Sequence, residues 1–253
     1  MSESNGLLLP GERVDDLQFM GLRVIQSPDA FRFGMDAVLL SDFARVRPRS
    51  RVCDLGTGTG ILPLLLYGRE STITCDAVEI QPDAAERAAR TMRLNKLESV
   101  IAVHRGDLRR VRDFLPSSAY DLVICNPPYH PSAASLPSPK AALRTARQES
   151  ECTLEDIADA AAWLLHDRAR LVLMLPAARL ADAFDTLRSR QLEPKRLRLV
   201  HAQASRPARL ALIESMRRVN PGLAVEPPLI VQRPDGADTD EIRRIYHLPP
   251  ENL

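Results

Sequence analysis

Long apolar stretches are missing from this chain: none of its segments approaches the roughly eighteen consecutive apolar residues that a membrane-spanning helix requires. The N-terminus also lacks the basic and then apolar pattern of a secretory signal. Hydrophobic residues nevertheless make up 45% of the 253 residues, which is enough to bury a substantial core. We therefore expect a cytoplasmic protein without a membrane segment, folded as one domain over residues 1–253.

Cysteine is scarce, and its spacing does not suit a metal site or a disulfide framework. The four cysteines, Cys53, Cys75, Cys125 and Cys152, form no Cys-x-x-Cys pair. The first three lie in apolar segments that are typical of strands, where a thiol behaves as a small hydrophobic group. We expect reduced thiols and no bound metal.

The net charge is only +1, which argues against a strongly basic nucleic-acid-binding protein. Basic residues are nonetheless clustered between 140 and 147, between 188 and 198, and between 206 and 218. A single cluster is most often a solvated face. Several clusters on one side of the fold would instead follow a phosphate backbone and bind it in a salt-dependent way.

Strand and helix signals alternate along the chain, as in a doubly wound α/β sheet. Predicted helices cover residues 61–68, 83–94, 154–165 and 177–190, and predicted strands cover residues 72–78, 100–103, 120–125, 170–175, 192–200 and 209–215. A segment rich in proline, serine and alanine, from 130 to 139, predicts a loop over the target pocket.

A short strand, a glycine-rich turn and a helix follow one another near the start of the predicted sheet. Residues 51–60 read RVCDLGTGTG and continue into an apolar stretch. This order is typical of a nucleotide-binding turn, but Ile61 stands where a Gly-x-Gly-x-x-Gly fingerprint needs its third glycine. Because Asp54 would repel a phosphate and attract a cationic amino acid group, the turn favours S-adenosylmethionine over a dinucleotide.

Acidic side chains follow the next two predicted strands. Glu79 comes about twenty residues after the glycine turn, where a carboxylate can accept hydrogen bonds from both ribose hydroxyls. Asp107 follows the third strand, where an adenine amino group would lie. Each acid alone could equally be a helix cap. Because parallel strands end at one edge of a sheet, Asp54, Glu79, Asp107 and Asn126 together predict a single crevice.

The fourth strand ends in the tetrapeptide Asn126-Pro127-Pro128-Tyr129. Each proline fixes its own φ and restricts the residue before it, so the turn is extended and rigid. The Asn126 side-chain oxygen and the Pro127 carbonyl oxygen can accept both hydrogens of an exocyclic NH2 group, and Tyr129 offers a ring face for stacking. The tetrapeptide is either a stiff turn or a clamp for a planar amine, and the neighbouring acids favour a clamp suited to methylation of nitrogen.

Together these motifs resemble the class I S-adenosylmethionine-dependent methyltransferases that act on amino groups. Residues 54–60 resemble the first motif of that family, Glu79 its ribose-binding acid, Asp107 its adenine-binding acid and residues 126–129 its catalytic motif. The resemblance implies a Rossmann-like α/β fold with a seven-stranded doubly wound sheet whose last strand is antiparallel. It also implies S-adenosyl-L-methionine as the cofactor.

The segment before the first strand narrows the resemblance. Residues 31–40 (FRFGMDAVLL), together with 15–17 (DDL) and 146–149 (ARQE), are similar to the bacterial valine-tRNA adenine-N6 methyltransferases. Those enzymes methylate the adenosine immediately 3′ of the anticodon. The resemblance covers roughly residues 12–232 and implies an N-terminal extension, 1–49, that closes over the cofactor, followed by a core over 50–232.

The resemblance also implies functional residues. Those expected at the cofactor are Phe33, Asp36, Asp54, Gly56, Thr57, Gly58, Gly60, Glu79, Ile80, Asp107, Leu108 and Asn126. Those expected at the reacting amine are Asn126, Pro127, Pro128 and Tyr129. Candidate contacts with tRNA are Lys140, Arg144, Arg147 and Arg209.

Two alternative functions use the same motifs. Release-factor glutamine methyltransferases share Asn-Pro-Pro-Tyr, because a side-chain amide presents the same NH2 group. They typically carry a separate helical domain before the fold, whereas only about fifty residues precede Arg51 here. A non-catalytic protein that binds S-adenosylmethionine or RNA is the second alternative. The intact tetrapeptide beside intact acidic positions weighs against it.

Overall fold

The computed structural model describes residues 6–27, 34–127 and 152–249. Its strands are β1 (Arg13–Asp16), β2 (Arg23–Gln26), β3 (Arg51–Leu55), β4 (Thr74–Glu79), β5 (Ile101–Arg105), β6 (Tyr120–Cys125), β7 (Leu165–Pro176), β8 (Leu192–His201), β9 (Ala208–Arg217), β10 (Ala224–Val225) and β11 (Leu229–Ile230). Its α-helices are α1 (Met35–Phe43), α2 (Ile61–Arg69), α3 (Pro82–Leu94), α4 (Leu154–Leu164), α5 (Leu180–Ser189) and α6 (Asp240–Ile245). Two 3-10 helices cover Leu108–Asp113 and Ala177–Arg179.

One mixed sheet forms the centre of the molecule, in the order β10-β8-β9-β7-β6-β3-β4-β5. Strands β3 to β7 are parallel, and β9 is inserted antiparallel between β7 and β8. The predicted doubly wound class is therefore confirmed. The seven long strands of the sheet are β3 to β9, and the last of them, β9, is antiparallel as predicted. Among the described residues the sheet nevertheless has nine strands and not seven, because β10 and β11 both pair with β8. These two-residue strands cover the backbone of what would otherwise be an edge strand.

Helices cover both faces of the sheet, because alternate residues of each central strand point to opposite sides. In β3, Val52 belongs to a core that also contains buried residues of α1, α2, α3 and α6. Cys53 and Leu55 belong to a second core, with buried residues of α4 and α5. Cys53, Cys75 and Cys125 are buried free thiols, as expected from their apolar surroundings. No helix in the described part of the chain is long and apolar enough to cross a bilayer.

The boundaries of several elements differ from their predicted positions. The helix predicted over 177–190 is a 3-10 turn followed by α5, and β7 begins at Leu165, five residues earlier than predicted. Leu165 pairs with Tyr120 at the start of β6, so strand pairing ends α4 at this point. Strands β1 and β2 and helix α6 carry no clear signal in the sequence and were not predicted. In α6, Ile242 and Ile245 are buried in the first core.

Candidate active site

The carboxyl ends of four parallel strands lie side by side along one edge of the sheet. In the order β6, β3, β4, β5, these strands lead to Asn126, to the glycine turn, to Glu79 and to Asp107. The topology therefore brings together the four groups that the sequence placed at strand ends. This carboxyl edge of an open α/β sheet is where such folds bind ligands, and we call the region around these four groups the crevice.

The glycine turn between β3 and α2 has a backbone that only glycine adopts easily. Gly56, Gly58 and Gly60 have φ values of 80°, 57° and 81°, all in the left-handed region. A Cβ atom on Gly60 would lie 2.5 Å from the Met92 Cε atom, so the end of this flexible side chain in α3 would have to move. At Gly56 and Gly58 a Cβ atom would meet nothing within 4 Å. This part of the turn therefore leaves room for a ligand.

Glu79 is held in place by the backbone around it. One carboxylate oxygen accepts a hydrogen bond of 2.8 Å from the Gly58 amide, and the other accepts one of 2.8 Å from the Gln81 amide. The residue is 6% exposed. Because a carboxylate oxygen accepts more than one hydrogen bond, both oxygens keep capacity for ribose hydroxyls.

Asp54 is fully buried at the end of β3, and neither of its carboxylate oxygens has a hydrogen-bond partner within the described residues. Burial raises its pKa to about 7, and the charge of Glu79 adds to the increase. The Thr57 hydroxyl lowers the pKa in part, although its geometry falls short of a hydrogen bond. A buried, unpaired carboxyl group is costly unless a ligand supplies a donor or a positive charge.

Asn126 also presents a free acceptor. Its side-chain oxygen is buried and accepts no hydrogen bond from the residues that the structure describes. It follows β6 directly, and β6 pairs with β3, which carries Asp54. The predicted clamp also includes Pro127, Pro128 and Tyr129, and of these three residues the structure describes Pro127. Pro128 and Tyr129 lie outside the described residues.

The opposite end of the crevice contains Asp107, Ile80 and Leu108. Asp107 pairs with Arg109 at 2.6 Å, and this guanidinium group lowers the pKa of the carboxyl group. Arg109 was not predicted from the sequence, although its position two residues after the acid suits a local side-chain turn. Ile80 is 41% exposed and Leu108 is half-buried, so both present apolar surface beside the acids.

Asp36 lies in the first turn of α1, and burial raises the pKa of its carboxyl group. Four other predicted contact residues lie outside the described ranges: Phe33, Lys140, Arg144 and Arg147. Within the described ranges, no group of three metal-binding side chains lies close enough to hold an ion.

Comparison with known proteins identifies the family. Residues 19–165 match the model of the methyltransferase small domain. The chain is 31% identical over 199 residues to the tRNA1(Val) (adenine(37)-N6)-methyltransferase of Parabacteroides distasonis, covering 78% of this chain and 81% of the relative. This chain belongs to that methyltransferase family. A protein of the same name from Tolumonas auensis is 35% identical over 159 residues, covering 62% of this chain and 65% of that relative.

A solved structure shows the same fold. The predicted O-methyltransferase Atu636 of Agrobacterium tumefaciens has a TM-score of 0.69 at 21% identity, covering 86% of this chain and all of that one. The fold class, the family and the methyltransferase activity expected from the sequence are therefore confirmed. The cofactor of this methyltransferase family, S-adenosylmethionine, is confirmed with them.

The described crevice fits this cofactor. Buried polar atoms without partners would be unfavourable in a site that never bound a polar ligand. Three side chains of the crevice have such atoms, namely Asp54, Thr57 and Asn126. Asp54 suits an ammonium group, Glu79 suits ribose hydroxyls, and the apolar surface of Ile80 suits a flat ring. The role of each individual side chain remains a prediction.

Proposed function

We propose that this methyltransferase transfers a methyl group to N6 of an adenosine in tRNA, next to the anticodon of a valine tRNA. The observation that supports it most directly is the buried, unpartnered oxygen of Asn126 beside the predicted cofactor turn. The relatives from Parabacteroides and Tolumonas support the substrate, because both carry the name of an adenine-N6 methyltransferase of a valine tRNA. An enzyme with this substrate would act in the cytoplasm.

Positioning is the main task of the chain in this reaction. Bound S-adenosylmethionine supplies a methyl group on a sulfonium centre, which is already a good leaving group. Glu79 and Asp54 would hold the cofactor, and the turn at Asn126 would hold the acceptor nitrogen in line with the methyl carbon. Such alignment removes much of the entropic barrier to the reaction.

The turn at Asn126 would also activate the amine. An adenine N6 is a poor nucleophile, because its lone pair is delocalised into the ring. The Asn126 side-chain oxygen and the Pro127 carbonyl oxygen would accept its two hydrogens, favour a tetrahedral nitrogen and stabilise the positive charge that develops there. The extra proton becomes acidic after methyl transfer and can leave to water. A strong general base is therefore not required.

The target base must leave its stack to reach this turn. Unpaired bases of an anticodon loop cost less to extrude than bases of a duplex. We propose that Tyr129 stacks on the extruded adenine. Lys140, Arg144, Arg147 and Arg209 remain proposed contacts with the tRNA backbone. Arg209 is exposed near the start of β9, which lies at the carboxyl edge because β9 runs antiparallel to β7.

An asparagine variant tests the clamp. Asn126→Ala removes one acceptor and leaves the glycine turn intact, so kcat should fall by about a hundredfold or more while S-adenosylhomocysteine binds with nearly unchanged affinity. Asn220→Ala, at an exposed loop of the opposite edge, is the matched control and should be fully active. Activity of Asn126→Ala within about threefold of the wild type would show that the tetrapeptide is only a turn.

The substrate needs a separate assay, since a protein glutamine presents the same NH2 group. Purified tRNA and purified release factor should be offered side by side with labelled cofactor, and the modified nucleoside should be mapped. We expect label in N6-methyladenosine of tRNA. Label in the release factor alone would support the glutamine alternative and refute the RNA substrate.

A further inference from the structure

Gln26, the last residue of β2, is buried in a way that its surroundings do not explain. The residue is 1% exposed, and neither the nitrogen nor the oxygen of its carboxamide has a hydrogen-bond partner within the described part of the chain. Burying an amide without a hydrogen bond is unfavourable, because the group loses its hydrogen bonds to water and gains none in return. A buried group of this kind indicates either a structural defect or a missing ligand.

The contacts of β2 with α3 show which way the strand runs. The Arg23 amide donates to the Asn95 side-chain oxygen at 2.9 Å, just beyond the end of α3. Two residues later, the Ile25 amide donates to the Thr91 hydroxyl at 3.2 Å. The strand therefore runs from the end of α3 towards its beginning. Because α3 begins just after Glu79, β2 approaches the carboxyl edge of the sheet.

The contacts of β2 with α2 show which residue of α2 lies beside Gln26. Leu22, immediately before β2, lies 3.1 Å from where a Cβ atom of Gly68 would be, near the end of α2. The four residues from Leu22 to Gln26 span about 13 Å in an extended chain. The eight residues from Gly68 back to Gly60 span about 12 Å of helix. Gln26 therefore lies about level with Gly60.

A second path leads to the same position. Gly60 packs against Met92 and Ala88 of α3. Met92 is adjacent in sequence to Thr91, whose hydroxyl accepts the hydrogen bond from the Ile25 amide. The direction of the Gln26 side chain follows from strand alternation, which places Leu22, Val24 and Gln26 on one side. Leu22 and Val24 both belong to the core shared with α1 and α2. Gln26 therefore points inward beside the start of α2.

We propose that the Gln26 carboxamide binds the amino acid end of S-adenosylmethionine, which rests on the crevice assigned above. The three acids of the crevice, Asp54, Glu79 and Asp107, can only accept hydrogen bonds when ionised. They suit the ammonium group and the hydroxyls of the cofactor, but they repel its carboxylate. The Gln26 nitrogen donates to that carboxylate, and its oxygen accepts from the ammonium group, so one neutral side chain satisfies both ends of a zwitterion.

The inference can be tested by comparing two ligands in binding experiments without catalysis. S-adenosylhomocysteine carries the amino acid group, whereas 5′-methylthioadenosine has the same nucleoside thioether without it. Gln26→Leu should lower the affinity for S-adenosylhomocysteine by about tenfold or more, which is the loss expected when a hydrogen bond to a charged group is removed. It should change the affinity for 5′-methylthioadenosine by less than about twofold.

The same variant makes an opposite prediction for stability. Gln26→Leu removes two unsatisfied buried polar atoms and keeps a similar volume, so the ligand-free protein should melt at a higher temperature. Gln26→Met is a second variant with the same expectation. Ser215→Ala is the matched control, since Ser215 is also fully buried with an unpartnered hydroxyl but pairs with Pro194 near the start of β8, away from the carboxyl edge. Its affinity for S-adenosylhomocysteine should be unchanged.

Three outcomes would overturn the inference. They are an unchanged affinity for S-adenosylhomocysteine, an equal loss for both ligands, and a lower melting temperature or unfolding of both Gln26 variants. If the wild type itself did not bind S-adenosylhomocysteine, the crevice assignment would fail as well. Binding by the wild type and by Gln26→Leu with equal affinity would refute only the role of Gln26.

Discussion

Two carboxyl groups of the crevice, Asp54 and Glu79, have opposite surroundings although both are buried. Glu79 accepts hydrogen bonds from two backbone amides, whereas Asp54 accepts none from the described residues. Burial therefore raises the pKa of Asp54 to about 7. A nearby ammonium group favours the charged form of a carboxyl group and would lower this pKa. Below about pH 7 the free protein thus holds a protonated acid that a cationic ligand would ionise.

This difference predicts that cofactor binding depends on pH. Below about pH 7, Asp54 must release a proton when the ligand binds, so affinity for S-adenosylhomocysteine should rise by about tenfold per pH unit from pH 5 to 7 and then level off. Calorimetry in buffers of different ionisation enthalpy would detect the released proton. Asp54→Asn should bind more weakly at pH 8 and lose this dependence. Constant wild-type affinity from pH 5 to 8 would contradict the prediction.

The same shift predicts how the ligand-free protein responds to pH. The pKa of Asp54 is about 7 in the folded protein, above its ordinary value of 3.8. The contribution of this group to stability is therefore fully present below about pH 4, and this contribution is lost as the pH rises through about 7. Asp54→Asn removes this loss. The melting temperature of the variant relative to the wild type should therefore increase between pH 5 and pH 8.

At the scale of elements, the glycine turn joins β3, α2 and α3 through one close contact. Gly56 and Thr57 donate to the Val78 carbonyl oxygen at 2.9 and 3.0 Å, which ties the turn to β4. Gly60 begins α2 and packs against α3. The turn is therefore a structural junction on one side and an open surface on the other.

This two-sided character predicts different effects of two alanine substitutions. Gly60→Ala combines an unfavourable φ with displacement of the flexible end of Met92, so it should lower the free energy of unfolding by about 1–3 kcal/mol, most of it from the backbone. Gly58→Ala has only the unfavourable φ and should cost about 1–2 kcal/mol, while its methyl group intrudes on the ligand. Urea denaturation measures both.

A second substitution checks the cause of the difference. Met92→Ala opens a cavity in the core by itself, and in the Gly60→Ala background the added methyl group should fill part of it. The pair should therefore be non-additive, as expected for residues in contact. A double variant that is as unstable as the sum of the two single variants would show that Gly60 and Met92 are not coupled.

At the scale of the whole molecule, the insertion of β9 decides which arginines lie near the active site. Because β9 is antiparallel to its neighbours, its first residues lie at the carboxyl edge beside the ends of β7 and β8. Arg179, Arg206 and Arg209 are exposed there, and none pairs with a carboxylate among the described residues. With about 4.8 Å between strands, β9 lies about 10 Å from β6 and Asn126.

This placement predicts the salt dependence of RNA binding. Changing Arg179, Arg206 and Arg209 to glutamate should weaken tRNA binding and flatten its dependence on salt, since each lost phosphate contact reduces the logarithmic slope by about 0.7–0.9. Arg168→Glu, exposed at the opposite edge, is the control and should change neither quantity. Binding of S-adenosylhomocysteine should remain as in the wild type. An unchanged salt slope would place the RNA elsewhere.

Local patterns in the sequence determined the parts of this protein that depend on short-range constraints. Three glycines with left-handed φ, an apolar strand before them and prolines after Asn126 restrict the backbone whatever surrounds them. The order of these motifs along a doubly wound sheet then placed Asp54, Glu79, Asp107 and Asn126 at one edge. The family and the cofactor followed from that edge.

Only the tertiary structure decided what depends on residues distant in sequence. The raised pKa of Asp54 comes from complete burial, and the pairing of β10 and β11 with β8 comes from a long-range edge contact. The unpartnered carboxamide of Gln26 is invisible in sequence, because a short strand ending in glutamine carries no signal of burial. Burial and partnership are properties of packing between segments, so no local pattern can specify them.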